Sequence, residues 1–278
     1  MSEVDINEKF IKEYTSEESI KRYTKEKAGD GISYLLDHDY GMLYLQVVEK
    51  EIKDIIGPEG IRVLEYGCGG GMNLIHILSM FGAKGIKIDR AYGTDFSPVL
   101  IEAANKEAER YMTPVLRGKA QFIVAKNESL VDDLSMHAGR SSDAFHNQFH
   151  LVVGVNTFRY GFRLKKEWES AKQIYDLLMP GGVSIMIDMN AQFPFFRSKM
   201  RGQKGGASLE TYIPLLSEYA RPFKEVGLEV RQEKNFCWIH HSAGSFACAI
   251  LQTVSPLLQV LFQDFAMRSL VISKKPLK

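Results

Sequence analysis

Cysteine is scarce in this sequence, tryptophan scarcer, and net charge almost absent. The three cysteines, Cys68, Cys237 and Cys248, make no Cys-x-x-Cys pair and are too few for a disulfide framework. Burial of apolar side chains must therefore hold the chain together, and a reducing, cytoplasmic setting is the expectation. Lys and Arg number 35 against 34 Asp and Glu, a net charge of +1. That balance carries no electrostatic footprint for DNA or RNA, so a small-molecule partner is expected and a nucleic acid is not. The first ten residues are acidic and polar, unlike a secretory leader. Long unbroken apolar runs are missing too. The most apolar stretch, Phe246 to Phe262, is interrupted by Gln252, Ser255, Pro256 and Gln259. It reads as a buried helix or a pocket wall rather than a membrane anchor, and no membrane partner is expected. No Gly-x-Ser-x-Gly elbow or Walker loop occurs, which argues against hydrolase and nucleoside-triphosphatase chemistry. The histidines His240 and His241 are adjacent and lack a third ligand at a usable spacing, so no metal site is expected. Nothing in the sequence specifies an oligomeric state.

Against these absences stands one dense motif, Val63-Leu64-Glu65-Tyr66-Gly67-Cys68-Gly69-Gly70-Gly71. A short apolar run ends on an acidic residue and gives way to four glycines in five positions. Glycine permits φ > 0 and lets a ligand approach where a Cβ would collide. Strand, loop and helix in this order turn free backbone N–H groups toward a ligand at the helix start. The Glu65 carboxylate would repel a pyrophosphate but suits an ammonium or sulfonium cation. A dinucleotide-binding turn, Gly-x-Gly-x-x-Gly, needs a small residue where Met72 stands and no acid within the turn.

The rest of the chain alternates strands and helices, which predicts a parallel sheet. Residues 5 to 56 read as helical, with a capping-box pattern at Thr15-Ser16-Glu17-Glu18 and a second helix from Tyr40 to Ile56. Beyond Gly57-Pro58-Glu59-Gly60, strands are expected at 62–66, up to Asp95, at 121–125, 150–155, 183–188, 229–239 and 269–273. Helices are expected at 72–81, 98–111, 167–178 and 209–226, with Met179-Pro180-Gly181-Gly182 closing the third of these. The expected fold is α/β: a seven-stranded, mostly parallel, doubly wound sheet over residues 57–278. Residues 1–56 form a helical lid in this reading, and cap insertions fall at about 190–222 and 240–265.

The acidic-x-Gly-x-Gly-x-Gly pattern of Glu65, Gly67, Gly69 and Gly71 resembles the first motif of class I S-adenosylmethionine (SAM) dependent methyltransferases. The resemblance covers the chain from residue 61 onward and implies SAM as cofactor, with S-adenosylhomocysteine as product. Asp95, closing the second strand, matches the acidic residue that similar proteins use for the ribose hydroxyls; capping the helix at Pro98 by Asp95 or Ser97 is the plainer alternative. Phe96 is placed to cover the adenine face. Asn127 and Glu128 stand where the family puts a polar residue against the adenine amino group, although an ordinary solvated loop explains them equally. At the end of the fourth strand, where the family meets cofactor and substrate, Gly154 would allow close approach and Asn156 offers a neutral donor and acceptor. The Pro-Pro-aromatic motif of amino-group methylation on DNA, RNA or proteins is missing there.

Two further segments should project over the same edge. Phe193, Phe195 and Phe196 could cradle a sulfonium by cation–π attraction or be core beneath a lid. Arg159, Arg163 and Arg197 could clamp a carboxylate, with Tyr160 beside them. His240 or His241 could serve as a base, or be structural. The leading expectation is methyl transfer to a small metabolite bearing a carboxylate or amine, with Asn156, His240 and His241 as the reacting-site residues. The alternative is a cyclase closing the aminobutyrate arm of SAM to azetidine-2-carboxylate with release of methylthioadenosine. A third reading is a non-catalytic SAM-binding protein.

Overall fold

The structure is a computed structural model that describes residues 39–53, 55–194, 213–239 and 245–277. Helix α1 (Asp39–Ile52) leads into β1 (Ile61–Tyr66), α2 (Met72–Ala83), β2 (Ile88–Asp95), α3 (Pro98–Tyr111), the single turn α4 (Pro114–Arg117) and β3 (Ala120–Val124). Next come α5 (Leu130–Ala138), β4 (Phe149–Val155), α6 (Arg159–Leu164), α7 (Glu167–Leu177) and β5 (Leu178–Met189). The chain continues through α8 (Leu216–Glu225), β6 (Glu229–Phe236), α9 (Ser245–Phe262) and β7 (Arg268–Lys274).

The strands form one seven-stranded sheet in the order β3-β2-β1-β4-β5-β7-β6. Strands β1 to β5 pair in parallel, whereas β7 runs antiparallel to both β5 and β6. Strand β6 therefore points the same way as β1 to β5. The chain steps outward from β1 to β3 and then returns to the other side of β1 as β4. Ligands of such sheets bind in the crevice at that reversal, outside the strands' carboxyl ends. Both faces of the sheet are covered, which explains the near-continuous apolar runs in the strands. Val63 faces a core with Leu74, Ile75 and Leu78 of α2, while Leu64 and Tyr66 face a second core with Ile174 of α7 and Phe223 of α8.

Several boundaries differ from the sequence reading for physical reasons. The Met179–Gly182 segment does not close off a helix before the strand. It belongs to β5 and bulges, so that register jumps from Phe149 opposite Leu178 to Leu151 opposite Val183. Gly181 takes φ 81 there, and the Lys275 N–H donates to the Gly182 carbonyl. Helix α8 begins at Leu216, after Pro214, where the Leu215 N–H donates to the Glu218 carboxylate as one half of a capping box. The short helix α5 was not anticipated. Residues 1–38, with the capping-box pattern at Thr15–Glu18, and residues 195–212 lie outside the described residues. The described part of the expected lid is core: Leu45, Val48 and Ile52 of α1 are buried with α2.

One expectation fails in its first half. Helix α9 forms where the apolar stretch lies, but it is not a buried helix. Phe246 and Val260 are each 81% exposed, and Leu257 and Leu261 are exposed as well.

Candidate active site

Alternation along β1 sets the direction of Glu65. With Val63 on the α2 face, Glu65 two residues on points the same way, and its side chain is wholly buried. The Leu74 N–H donates to its Oε2 and the Asn73 side-chain amide donates to its Oε1, both at 3.0 Å. The first N–H groups of a helix have no partner within it. Gly71, at the N-cap of α2, has no side chain to offer, so Glu65 caps the helix from the preceding strand. Burial pushes the Glu65 carboxyl up to about 8, against the pull of those two hydrogen bonds. Gly67, Gly69 and Gly71 all take left-handed φ, at 64°, 53° and 77°. A Cβ on Gly67 would lie 1.9 Å from Thr157 Oγ1, and one on Gly71 would lie 2.7 Å from the Phe122 ring. At these two positions glycine is demanded by neighbouring side chains as well as by the turn.

Asp95 ties the second strand to that loop. Its Oδ2 accepts from the Gly69 N–H and its Oδ1 from the Ser97 N–H, each at 3.0 Å. Burial raises its carboxyl to about 6 although these backbone donors lower it. Capping of α3 falls to Ser97, whose Oγ accepts from the Leu100 N–H with Pro98 in the first turn. Ser97→Ala should cost about 1 kcal/mol, the usual worth of a serine cap, read as a lower midpoint in urea. Phe96 packs with Leu100, Tyr160 and Leu164 in a cluster separate from the two main cores. Tyr160, read from sequence as a substrate residue, thus shares a cluster with Phe96. The Ala125 N–H donates to the Asp95 carbonyl, which brings the half-buried Asn127 and Glu128 turn next to the same corner.

At the end of β4, Asn156 takes φ 59 and donates its N–H to the Ile187 carbonyl. Its Oδ1 accepts from Arg268 Nη1 at 2.6 Å, a bond across 112 residues that aims the amide. Gly154 opens no path for a ligand: a Cβ there would meet Met186 Sδ at 2.7 Å. Arg159 is not displayed for a carboxylate. Its Nε lies 2.9 Å from Asp188 Oδ1, its backbone N–H donates to Asp188 Oδ2 at 3.0 Å, and its Nη2 donates to the Tyr160 hydroxyl at 2.7 Å. Asp188 is fully buried, and burial holds its carboxyl above the usual range in spite of Arg159. Arg163 is also buried. Phe193 packs partly buried against the α2-side core. Phe195, Phe196, Arg197, His240 and His241 lie outside the described residues. Asn73, Asp188 and Arg268 were not singled out from the sequence. Only Asp188 gave a signal, as an acid at the carboxyl end of a predicted strand.

A cleft opens beside Glu65 and the end of β4. Tyr44, Leu45, Val48, Ile77, Val153, Val155 and Ile187 form its walls, with Asn73 and His76 as the polar members, around about 390 Å³ of atom-free space that includes its open mouth. Among the described residues, no group of three or more His, Cys, Asp or Glu could hold a metal ion.

The sequence profile of a methyltransferase domain family matches residues 23–233. The chain belongs to that family. No curated protein matches it in sequence. Solved structures share its fold at low identity. A Haloferax volcanii methyltransferase in complex with the Trm112 activator is 17% identical, with 93% of this chain and 95% of that one covered at a TM-score of 0.56. The geranyl diphosphate C-methyltransferase of Streptomyces coelicolor, solved with S-adenosylhomocysteine, is 13% identical over 84% and 76% of the two chains at a TM-score of 0.54. A SAM-dependent methyltransferase of Aquifex aeolicus is 13% identical over 90% and 96% at 0.53.

The cofactor of this class I methyltransferase is SAM. Its crevice fits the molecule on its own chemistry: two buried carboxylates at adjacent strand ends, bridged by a loop whose glycines hold left-handed turns.

Proposed function

We propose that this methyltransferase acts on a small molecule that presents an amine from an apolar frame. The cleft carries this reading, because its lining among the described residues combines aliphatic and tyrosyl walls with Asn73 and His76, and no Lys or Arg is among them. That lining suits a neutral amine on an apolar body better than a carboxylate, and the commitment of Arg159 to Asp188 agrees with it.

SAM, when bound, supplies a methyl group already activated on a sulfonium. The chain's own residues then have to bind, align and exclude water. Glu65 would hold the ammonium of the amino-acid end, Asp95 the ribose hydroxyls and Phe96 the adenine face, with Asn127 and Glu128 at its edge. Asn156, aimed by Arg268, would present its amide to the acceptor at the β4 edge. The cleft would seat the apolar body, with the His76 imidazole in its wall to take the amine's proton.

Incubation of the protein with SAM and a panel of apolar amines, followed by mass spectrometry, should give methylated product and S-adenosylhomocysteine only when an acceptor is present. Methylthioadenosine from SAM alone would sink this reading in favour of the cyclase. Val155→Phe, which narrows the cleft, should raise KM for the amine by about tenfold and leave SAM affinity unchanged, the signature of lost acceptor binding.

A further inference from the structure

Helix α9 is 18 residues long and carries no Lys, Arg, Asp or Glu. At 1.5 Å per residue it extends about 27 Å. None of its described side chains is buried. Phe246, Ile250, Leu257, Val260 and Leu261 are exposed on its outward side, and Leu251, Val254 and Leu258 on the inward side are half-buried only. A helix without charge and apolar over most of its circumference is stable inside a core or against lipid, and the described residues offer this one no core.

We infer that α9 docks the protein on a lipid bilayer. A second protein would cover one stripe of the helix and leave the remaining apolar surface in water, whereas lipid surrounds a helix on every side it enters. The root of α9 has the composition of a membrane–water boundary. Phe262 and Phe265 are exposed there, and Trp238 donates from Nε1 to Gln259 Oε1 at 3.3 Å. The helix is long and apolar enough to cross a membrane by length and composition. Its attachment rules a crossing out. Gln259 Nε2 donates to the Asn235 carbonyl at 2.7 Å, and the chain returns to the sheet directly afterwards as β7. The helix therefore enters one leaflet from the side. Its polar positions, Gln252, Thr253, Ser255 and Gln259, are uncharged. Binding should accordingly depend on apolar burial and not on anionic headgroups.

The test floats the full chain with phosphatidylcholine vesicles on a density gradient. The wild type should rise with the vesicles, to the same extent when salt is increased about fivefold and screening lengths shorten. Leu257→Glu with Val260→Glu should lower the bound fraction by about tenfold or more, since each change removes an exposed aliphatic side chain that the bilayer would cover. Phe246→Glu, at the far end of the helix, should act in the same direction. All three positions are exposed, so melting temperatures should hold. Wild-type protein that stays below the vesicles overturns the inference, as does binding confined to anionic vesicles and abolished by salt. A dimer in light scattering that the double variant splits would assign the helix to a second copy of the chain and overturn it as well.

Discussion

Glu65→Gln is expected to weaken SAM binding by about 10- to 100-fold, the range that follows from losing a charge-assisted hydrogen bond of about 1.5–3 kcal/mol. The substitution preserves shape and can still accept from the Leu74 N–H, so the helix start should survive. What disappears is the charge that the proposed function sets opposite the ammonium. The pH dependence separates this from simple misfolding. The folded Glu65 carboxyl is raised by burial to about 8 from an ordinary 4.5. An acid whose folded pKa is raised contributes stability that is fully present below its unfolded value and lost as pH climbs through the folded one. In the ligand-free wild type, stability relative to Glu65→Gln should therefore decline between pH 4.5 and about 8. Over the upper part of the same window wild-type SAM affinity should rise, because the bound cation favours the ionised carboxylate, while the variant's stays flat. Isothermal titration at pH 6, 7 and 8 measures both affinities, and parallel profiles would remove Glu65 from the cation site.

Arg159→Ala should cost about 3 kcal/mol in urea unfolding, near the lower end for breaking a buried ion pair, because Arg268 remains in the field of Asp188. The loss comes mainly from leaving the Asp188 carboxylate buried with backbone N–H donors and only the Arg268 charge nearby. Adding Asp188→Asn should therefore recover part of it, as an amide keeps an acceptor for a backbone N–H without the charge. SAM affinity should fall too, since Arg159 stacks on Tyr160 with 4.2 Å from guanidinium carbon to ring centroid, and Tyr160 packs beside Phe96. A cost under about 1 kcal/mol would place this pair with exposed salt bridges rather than buried ones.

Those two residues show what could be read from the chain and what could not. Glu65 was legible because its chemistry is local: an acid, a run of glycines and a helix start within ten positions. Helix α3 was legible for the same reason, with Pro98 in the first turn and a one-sided apolar pattern to Tyr111. The partner of Arg159 was not, since Asp188 approaches only when β5 pairs with β4, and spacing carries no trace of that. Arg268 reaches Asn156 from the far side of β5 and gave no local signal at all. The mistake over α9 has another source. Composition records that a segment avoids water, but not whether protein or something else surrounds it.

The place of β7 bears on how the molecule is made. Residues 268–274 fill the gap between β5 and β6, so until a ribosome releases them the nascent sheet has an unpaired margin along β5 and β6 has no neighbour. Open margins of that kind recruit other strands. Arg268 belongs to the same late segment, so the amide of Asn156 is aimed only after the sheet has closed. Synthesis that stops short of residue 268 would thus leave a chain that is sticky, with the Asn156 amide unaimed, even with its glycine loop intact.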